Sequence, residues 1–283
     1  MTHQVPVFHT VAALRAHVAT WKKAGEKVAL VPTMGALHAG HVSLVEAARA
    51  RASRVVVSIF VNPTQFAPTE DFSAYPRTLE ADLARLAVVQ ADGAFAPSVA
   101  EMYHKHAATT VTLQGPAAAG LEDRFRPTHF AGVATVVAKL LNQAQADVAL
   151  FGEKDYQQLK VIARMAEDLD IPTRILGCPT VREADGLALS SRNVYLSKEE
   201  RARAPALHRA MCGAAEAISQ GAPVAGPIAH AVAEVTRAGF VVDYIEARHA
   251  VTLAPIVSAA EGPVRILAAA RLGKTRLIDN ISA

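Results

Sequence analysis

His38 and His41 lie three residues apart in Pro32-Thr33-Met34-Gly35-Ala36-Leu37-His38-Ala39-Gly40-His41, a spacing suited to chemistry on an anion. On a first helical turn they share one face, and the free N–H groups of a helix start also favour a phosphate. Gly35 and Gly40 remove side chains that would obstruct a nucleotide. Other readings of the pair remain: two surface histidines flanking a loop glycine, or part of a zinc site, although H-E-x-x-H is absent and spacing places no third ligand. A second segment, Gly152-Glu153-Lys154-Asp155, precedes a helix carrying Gln157 and Gln158. Lys154 is a mobile point charge suited to polyphosphate and Gly152 lets the backbone approach a ribose, although a charged first helical turn has the same composition. A third, Gly186-Leu187-Ala188-Leu189-Ser190-Ser191-Arg192-Asn193, offers hydroxyls and one guanidinium to phosphate oxygens, as Ser-rich loops without that role also do. Gly273-Lys274-Thr275 looks like the end of a P-loop, but Ala268 stands where that pattern requires glycine, and two β-like runs flank it. A hairpin turn is expected there.

Strand-to-helix turns must position these groups. A helical period from Thr10 stops at Gly25, and Lys27 to Val31 reads as a buried strand closed by Pro32. A helix from Gly40 to Ala52, a strand Val55 to Val61 and a long loop from Asn62-Pro63 through Pro76 follow, then a helix capped by Thr78 and ending near Asp92-Gly93. The rhythm resumes with a helix Ala131 to Ala144, a strand Asp147 to Phe151, a helix Tyr156 to Leu169 and a strand Thr173 to Leu176. Such alternation predicts an α/β fold with a parallel sheet covered by helices, so the histidine and lysine turns would share one sheet edge. After Pro179 the pattern changes. A capping box at Ser197-Lys198-Glu199-Glu200 starts a long Ala-rich helix to Ile218, Gly221 to Pro227 break it, and a further helix, a strand Val241 to Ala247 and the pair Val264 to Ala270 and Arg276 to Asp279 follow. The boundary is placed near residue 180, giving domains 1–180 and 181–283, the second a smaller α+β unit.

Of 283 residues 51% are hydrophobic and 19% charged, which excludes a disordered chain. No apolar run approaches the ~18 residues of a membrane span. A formal charge of +3 over this length argues against nucleic acid as partner and permits phosphate ligands. Cys178 and Cys212 are far apart with no C-x-x-C partner, and Met1 to Ala24 lack the basic-then-apolar order of a signal peptide. A cytoplasmic protein starting at Met1 is expected.

Taken together with Asn62-Pro63-Thr64-Gln65-Phe66, Tyr75-Pro76-Arg77-Thr78, Arg126-Pro127-Thr128-His129-Phe130, Phe151-Gly152-Glu153-Lys154-Asp155-Tyr156-Gln157-Gln158-Leu159, Leu189-Ser190-Ser191-Arg192-Asn193 and Thr275-Arg276-Leu277-Ile278-Asp279-Asn280, the histidine segment resembles the pantoate:beta-alanine ligase family of the nucleotidyltransferase superfamily. H-x-G-H alone marks the superfamily, whose other adenylyltransferases are the alternative. The resemblance runs from about Phe8 to Asn280. It implies a Rossmann-like N-terminal domain, a smaller C-terminal domain closing over ATP, a homodimer, and condensation of pantoate with beta-alanine through pantoyl adenylate, releasing AMP and pyrophosphate. Magnesium would accompany ATP. Met34, Gly35, Ala36, Leu37, His38, Ala39, Gly40 and His41 would line the nucleotide, with His41 as proton donor and His38 beside it. Gly152, Glu153, Lys154, Asp155, Val181, Leu189, Ser190, Ser191 and Arg192 would also touch ATP, Lys154 acting on the developing phosphate charge. Gln65, Gln158 and Asn62 would hold pantoate, Gln65 also lying near beta-alanine. Some members carry paired acids after Y-P-R-T, whereas here only Asp82 follows Ala81, so no protein ligand to magnesium is assigned.

Overall fold

The computed structural model describes residues 4–66, 72–73 and 75–283; the middle of the expected Asn62 to Pro76 loop, residues 67–71 and 74, lies outside the described residues. Along the chain run β1 (Val7–Phe8), α1 (Val11–Lys23), β2 (Val28–Thr33), α2 (Ala39–Arg49), β3 (Arg54–Ile59), α3 (Leu79–Val88), β4 (Gly93–Phe95), α4 (Val99–Met102), α5 (Glu122–Phe125), α6 (His129–Ala144), β5 (Val148–Gly152), α7 (Tyr156–Asp168) and β6 (Arg174–Cys178). The strands form one parallel sheet of order β1-β4-β3-β2-β5-β6. Both faces are covered, which explains why its strands read as continuous apolar runs. Val28 and Leu30 of β2 pack with α1, α6 and α7, whereas Ala29 and Val31 face α2 and α3.

Strand order reverses between β2 and β5. β2 pairs with β3 from Val28↔Arg54 to Thr33↔Ile59, but with β5 only at Ala29↔Val148 and Leu30↔Ala149. Beyond Leu30 these two strands are no longer joined, and the crevice so opened is the usual ligand position of an open parallel sheet. β2 also outruns its expected end at Val31: Pro32 is tolerated because β2 has by then lost its β5 neighbour, so the missing N–H breaks no ladder there.

The C-terminal part comprises α8 (Lys198–Arg203), α9 (Ala206–Ser219), α10 (Ala225–Arg237), β7 (Val241–His249), β8 (Val264–Leu272) and β9 (Thr275–Ser282). Its three strands form an antiparallel sheet, β7-β8-β9, and Leu207, Met211 and Ile218 of α9 with Ala231 and Val235 of α10 pack on Ile266, Ala268 and Ala270. The capping box at Ser197 is present, but the single helix expected to Ile218 is two, because Pro205 cannot donate to a continuing ladder and α9 restarts after it. Gly273 turns the β8–β9 hairpin, so the P-loop resemblance is indeed a hairpin.

The small sheet docks on the parallel-sheet body through Tyr156, Leu121, Tyr244, Leu267 and Ala269, and through ion pairs. Arg276 reaches both carboxylate oxygens of Glu122 at 2.7 and 2.8 Å and Asp243 at 2.6 Å; Arg265 reaches Glu153 at 3.2 Å.

Candidate active site

His38 is the N-cap of α2 and His41 its third residue, and the two form a reciprocal cap: Gly40 N–H donates to His38 Nδ1 at 3.1 Å and His38 N–H donates to His41 Nδ1 at 3.2 Å. Since both Nδ1 atoms accept, the proton of each neutral ring sits on Nε2. The ring centroids are 4.1 Å apart. Burial first, then the charge of Lys154, lowers the His38 pKa; burial and the adjacent His38 push His41 down to about 3. Both imidazoles are therefore neutral Nε2–H donors at neutral pH.

The loop between β2 and α2 is not the open phosphate cradle that its free N–H groups led one to expect. The buried Asp82 of α3 accepts Leu37 N–H at 2.8 Å and Ala36 N–H at 3.0 Å, so these amides, like those of His38 and Gly40, are engaged within the chain. Gly35 and Ala36 both take positive φ, 80° and 50°, to wrap this carboxylate. A Cβ on Gly35 would lie 3.1 Å from Asp82 Oδ2. Gly35 and Leu37 are buried behind the crevice, Ala39 is exposed, and Ala36 faces Asp82; of the segment Met34 to His41, it is Met34, His38, Gly40 and His41 that line the crevice.

Gln65 closes the 3-10 turn Pro63–Gln65 and lines the crevice. Asn62, expected to touch substrate, is instead fully buried. Its Oδ1 accepts from Tyr103 OH at 2.8 Å and Thr64 Oγ1 at 3.0 Å, while its Nδ2 donates to Gln65 Oε1 at 3.0 Å and Gly132 O at 3.3 Å. The Gln65 oxygen being thus held, its amide N–H groups are left to donate. His129, pushed down to about 4 by burial and then by Arg126, donates from Nδ1 to Gln65 O at 3.0 Å. α6 comes so close that a Cβ on Gly132 would lie 2.2 Å from Thr64 O. On the same helix Val133, Val136, Val137 and Leu140 form one stripe that lines the crevice.

After β5, Gly152, Lys154, Asp155 and Gln158 enter the same space, while Gln157 is taken up by Glu122 N–H, Pro116 O and Asp123. Glu153 turns away to Arg265. Desolvation opposes charge on Asp155, but Lys154, Arg192, His129 and Arg126 outweigh it and hold its pKa below the usual value. Val181, Leu189, Ser190, Ser191 and Arg192 complete the wall, with Ser190 capping the 3-10 turn Ser191–Tyr195.

Two adjoining cavities result, one of about 220 Å³ at the β2/β5 crevice and one of about 590 Å³ reaching the C-terminal sheet; Tyr75, Lys154, Asp155, Gln158 and Ser190 to Arg192 border both. Sequence reasoning missed Asp82 as loop anchor and Gly132 as close-approach point. Isolated residues on other elements carry no local motif for such roles.

Neutral donors and a lysine converging on the switch point of a parallel sheet place the molecule among the α/β enzymes that handle nucleotides. The model of the pantoate-beta-alanine ligase family matches residues 6–282. Pantothenate synthetase of Rhodopseudomonas palustris is 57% identical over 282 residues, covering 100% of each chain, and pantothenate synthetase 2 of Bradyrhizobium diazoefficiens matches equally. The crystal structure of pantothenate synthetase from Thermus thermophilus superposes with TM-score 0.92 at 47% identity, covering 98% of this chain and 99% of that one. That of pantoate-beta-alanine ligase from Francisella tularensis, complexed with beta-gamma ATP and beta-alanine, superposes with TM-score 0.82 at 33% identity, covering 98% and 97%. This chain belongs to the pantoate-beta-alanine ligase family, and it is an enzyme of that ligase activity.

Proposed function

We propose that the enzyme joins pantoate to beta-alanine with ATP through a pantoyl adenylate, releasing AMP and pyrophosphate. The observation that carries this reading is the wall shared by the two cavities: an acid in the smaller one and a polyphosphate reaching into the larger would meet between the histidine pair and Lys154. The geminal methyls of pantoate suit the apolar α6 stripe, and the amides of Gln65 and Gln158 suit its hydroxyl and carboxylate oxygens without a charge that would blunt the nucleophile. Its carboxylate attacks the α-phosphorus, an acyl–O–P bond forms, and the α–β bridging bond breaks with its electrons leaving on pyrophosphate. Nε2–H of His38 and His41, Lys154, and the Ser190-Ser191-Arg192 loop stabilise the charge that builds on phosphate oxygens. His41 acts here as a neutral hydrogen-bond donor. The free amine of beta-alanine then attacks the acyl carbon and AMP departs with the former carboxylate oxygen. Gly35, Ala36, Leu37 and Glu153 shape the site from behind.

Magnesium fits as a companion of the ATP phosphates. Asp82 is engaged by two amides, and among the described residues no group of three or more metal-ligating side chains exists; Asp155, the carboxylate that lines both cavities, would be in reach of such an ion. Bound there, the ion would neutralise phosphate charge.

We further infer domains 1–180 and 181–283, the second closing over ATP, and a homodimer. The stretch 107–113 has no helix or strand and exposes Ala107 to Thr110, a backbone that a second copy can cover. Sedimentation of a monomer would contradict the dimer. Pantoate carrying heavy oxygen in its carboxylate should yield labelled AMP; ADP with label in inorganic phosphate would overturn the adenylate route.

A further inference from the structure

The turn that carries Lys154 has no cap of its own. It is a three-residue 3-10 turn, Glu153–Asp155, and neither Gly152 before it nor Asp155 before α7 makes a side-chain cap bond. What grips it comes from the other sheet. Asn280 on β9 is 2% exposed, and its Nδ2 donates to Glu153 O and to Lys154 O, both at 2.8 Å. Its Oδ1 accepts Arg265 Nε at 2.7 Å, and Arg265 in turn reaches the Glu153 carboxylate and stacks over Tyr156 at 4.2 Å. The ring Asn280, Arg265, Glu153 is closed. A flipped amide would set an oxygen against two carbonyl oxygens, so the orientation of Asn280 is fixed by its partners.

We propose that Asn280 is a positioning residue for the reaction: through the Glu153 and Lys154 carbonyls it sets the direction in which Lys154 enters the shared wall of the two cavities. The inference rests on the reading of Lys154 as a phosphate-stabilising group. It gives the C-terminal sheet, which also lines the larger cavity, a second part in the reaction, that of aiming Lys154. Asn280 is buried with its side-chain polar atoms paired, whereas the same pairs on a turn that carried no working side chain would serve packing alone.

A double-mutant cycle separates the two. Asn280→Ala is expected to lower kcat about 10- to 100-fold, the scale on which a displaced catalytic group acts, with pantoate KM little changed. In a Lys154→Ala background the same substitution should lower kcat no further. If Lys154→Ala alone leaves kcat intact, the role of Lys154 is wrong; if it lowers kcat and Asn280→Ala adds its full loss on top, Lys154 is right and the positioning role is overturned. Should Asn280→Ala not fold, Arg265→Gln removes the donor that orients the Asn280 amide while leaving β8 and β9 paired, and the same cycle decides: non-additive with Lys154→Ala supports the proposal, additive overturns it.

Discussion

Gln65 and Gln158 present neutral amides to the crevice, and their truncation should tell where pantoate lies. Gln65→Ala and Gln158→Ala are each expected to raise pantoate KM roughly 10-fold or more, the scale of a lost hydrogen bond to a charged group, while ATP still binds in calorimetric titration. Unchanged pantoate KM in both would remove them from the site. The histidines make a different prediction. An imidazole in the unfolded chain titrates near 6.5, whereas burial pushes His41 down to about 3 and His129 to about 4 in the fold. Between those values the unfolded chain takes up protons that the fold refuses, so the stability is fully present above pH 6.5 and is lost as the pH falls. Tm should drop on acidification below about pH 6.5, and His41→Asn, which keeps an acceptor for the His38 N–H but does not protonate, should flatten that drop. Equal slopes in both proteins would contradict it.

At the scale of elements, the helix–turn contact at Gly132 and the carboxylate anchor at Asp82 hold the site's two loops. Gly132→Ala must push α6 and the Asn62 turn apart; it should cost about 1–3 kcal/mol by thermal denaturation and raise pantoate KM through Gln65. A variant with native Tm and KM would show that the contact yields freely. Asp82→Asn places an amide N–H against one of two inward-pointing backbone N–H groups, and an unsatisfied buried donor costs about 1–3 kcal/mol. These anchors lay outside what the sequence reveals, whereas the elements they join were legible. Alternating strands and helices announced the parallel sheet because each strand is buried on both faces, and Ser197 announced α8 through its capping box. β1 and β4, of two and three residues, are too short to show a period. The histidine and lysine turns were legible as a pair, since both follow strands of one sheet. Which of their atoms face the crevice was not, because Asp82 and Arg265 reach Leu37 and Glu153 from distant parts of the chain.

Across the whole molecule, Glu122 and Arg276 tie the parallel-sheet body to the small antiparallel sheet, with side chains 11% and 19% exposed. Breaking one partner of a buried pair costs about 3–5 kcal/mol, and this partly hydrated pair belongs at the lower end. Glu122→Gln should split the calorimetric unfolding of the intact chain into two transitions, the C-terminal sheet melting first; one transition at the native temperature would show that the apolar contact around Tyr156 and Leu267 suffices. The body itself carries another dependence. Val133, Val136, Val137 and Leu140 belong at once to the hydrophobic core and to the wall of the smaller cavity. On the proposed placement of pantoate, the helix that contacts the acid is also the helix that packs the sheet. A lineage drifting toward a bulkier acid would have to carve the space out of its own core, and one hardening its core against heat would narrow what it accepts. With pantoate placed as proposed, substrate breadth and thermal tolerance would be one evolutionary variable, adjustable along α6 in opposite directions.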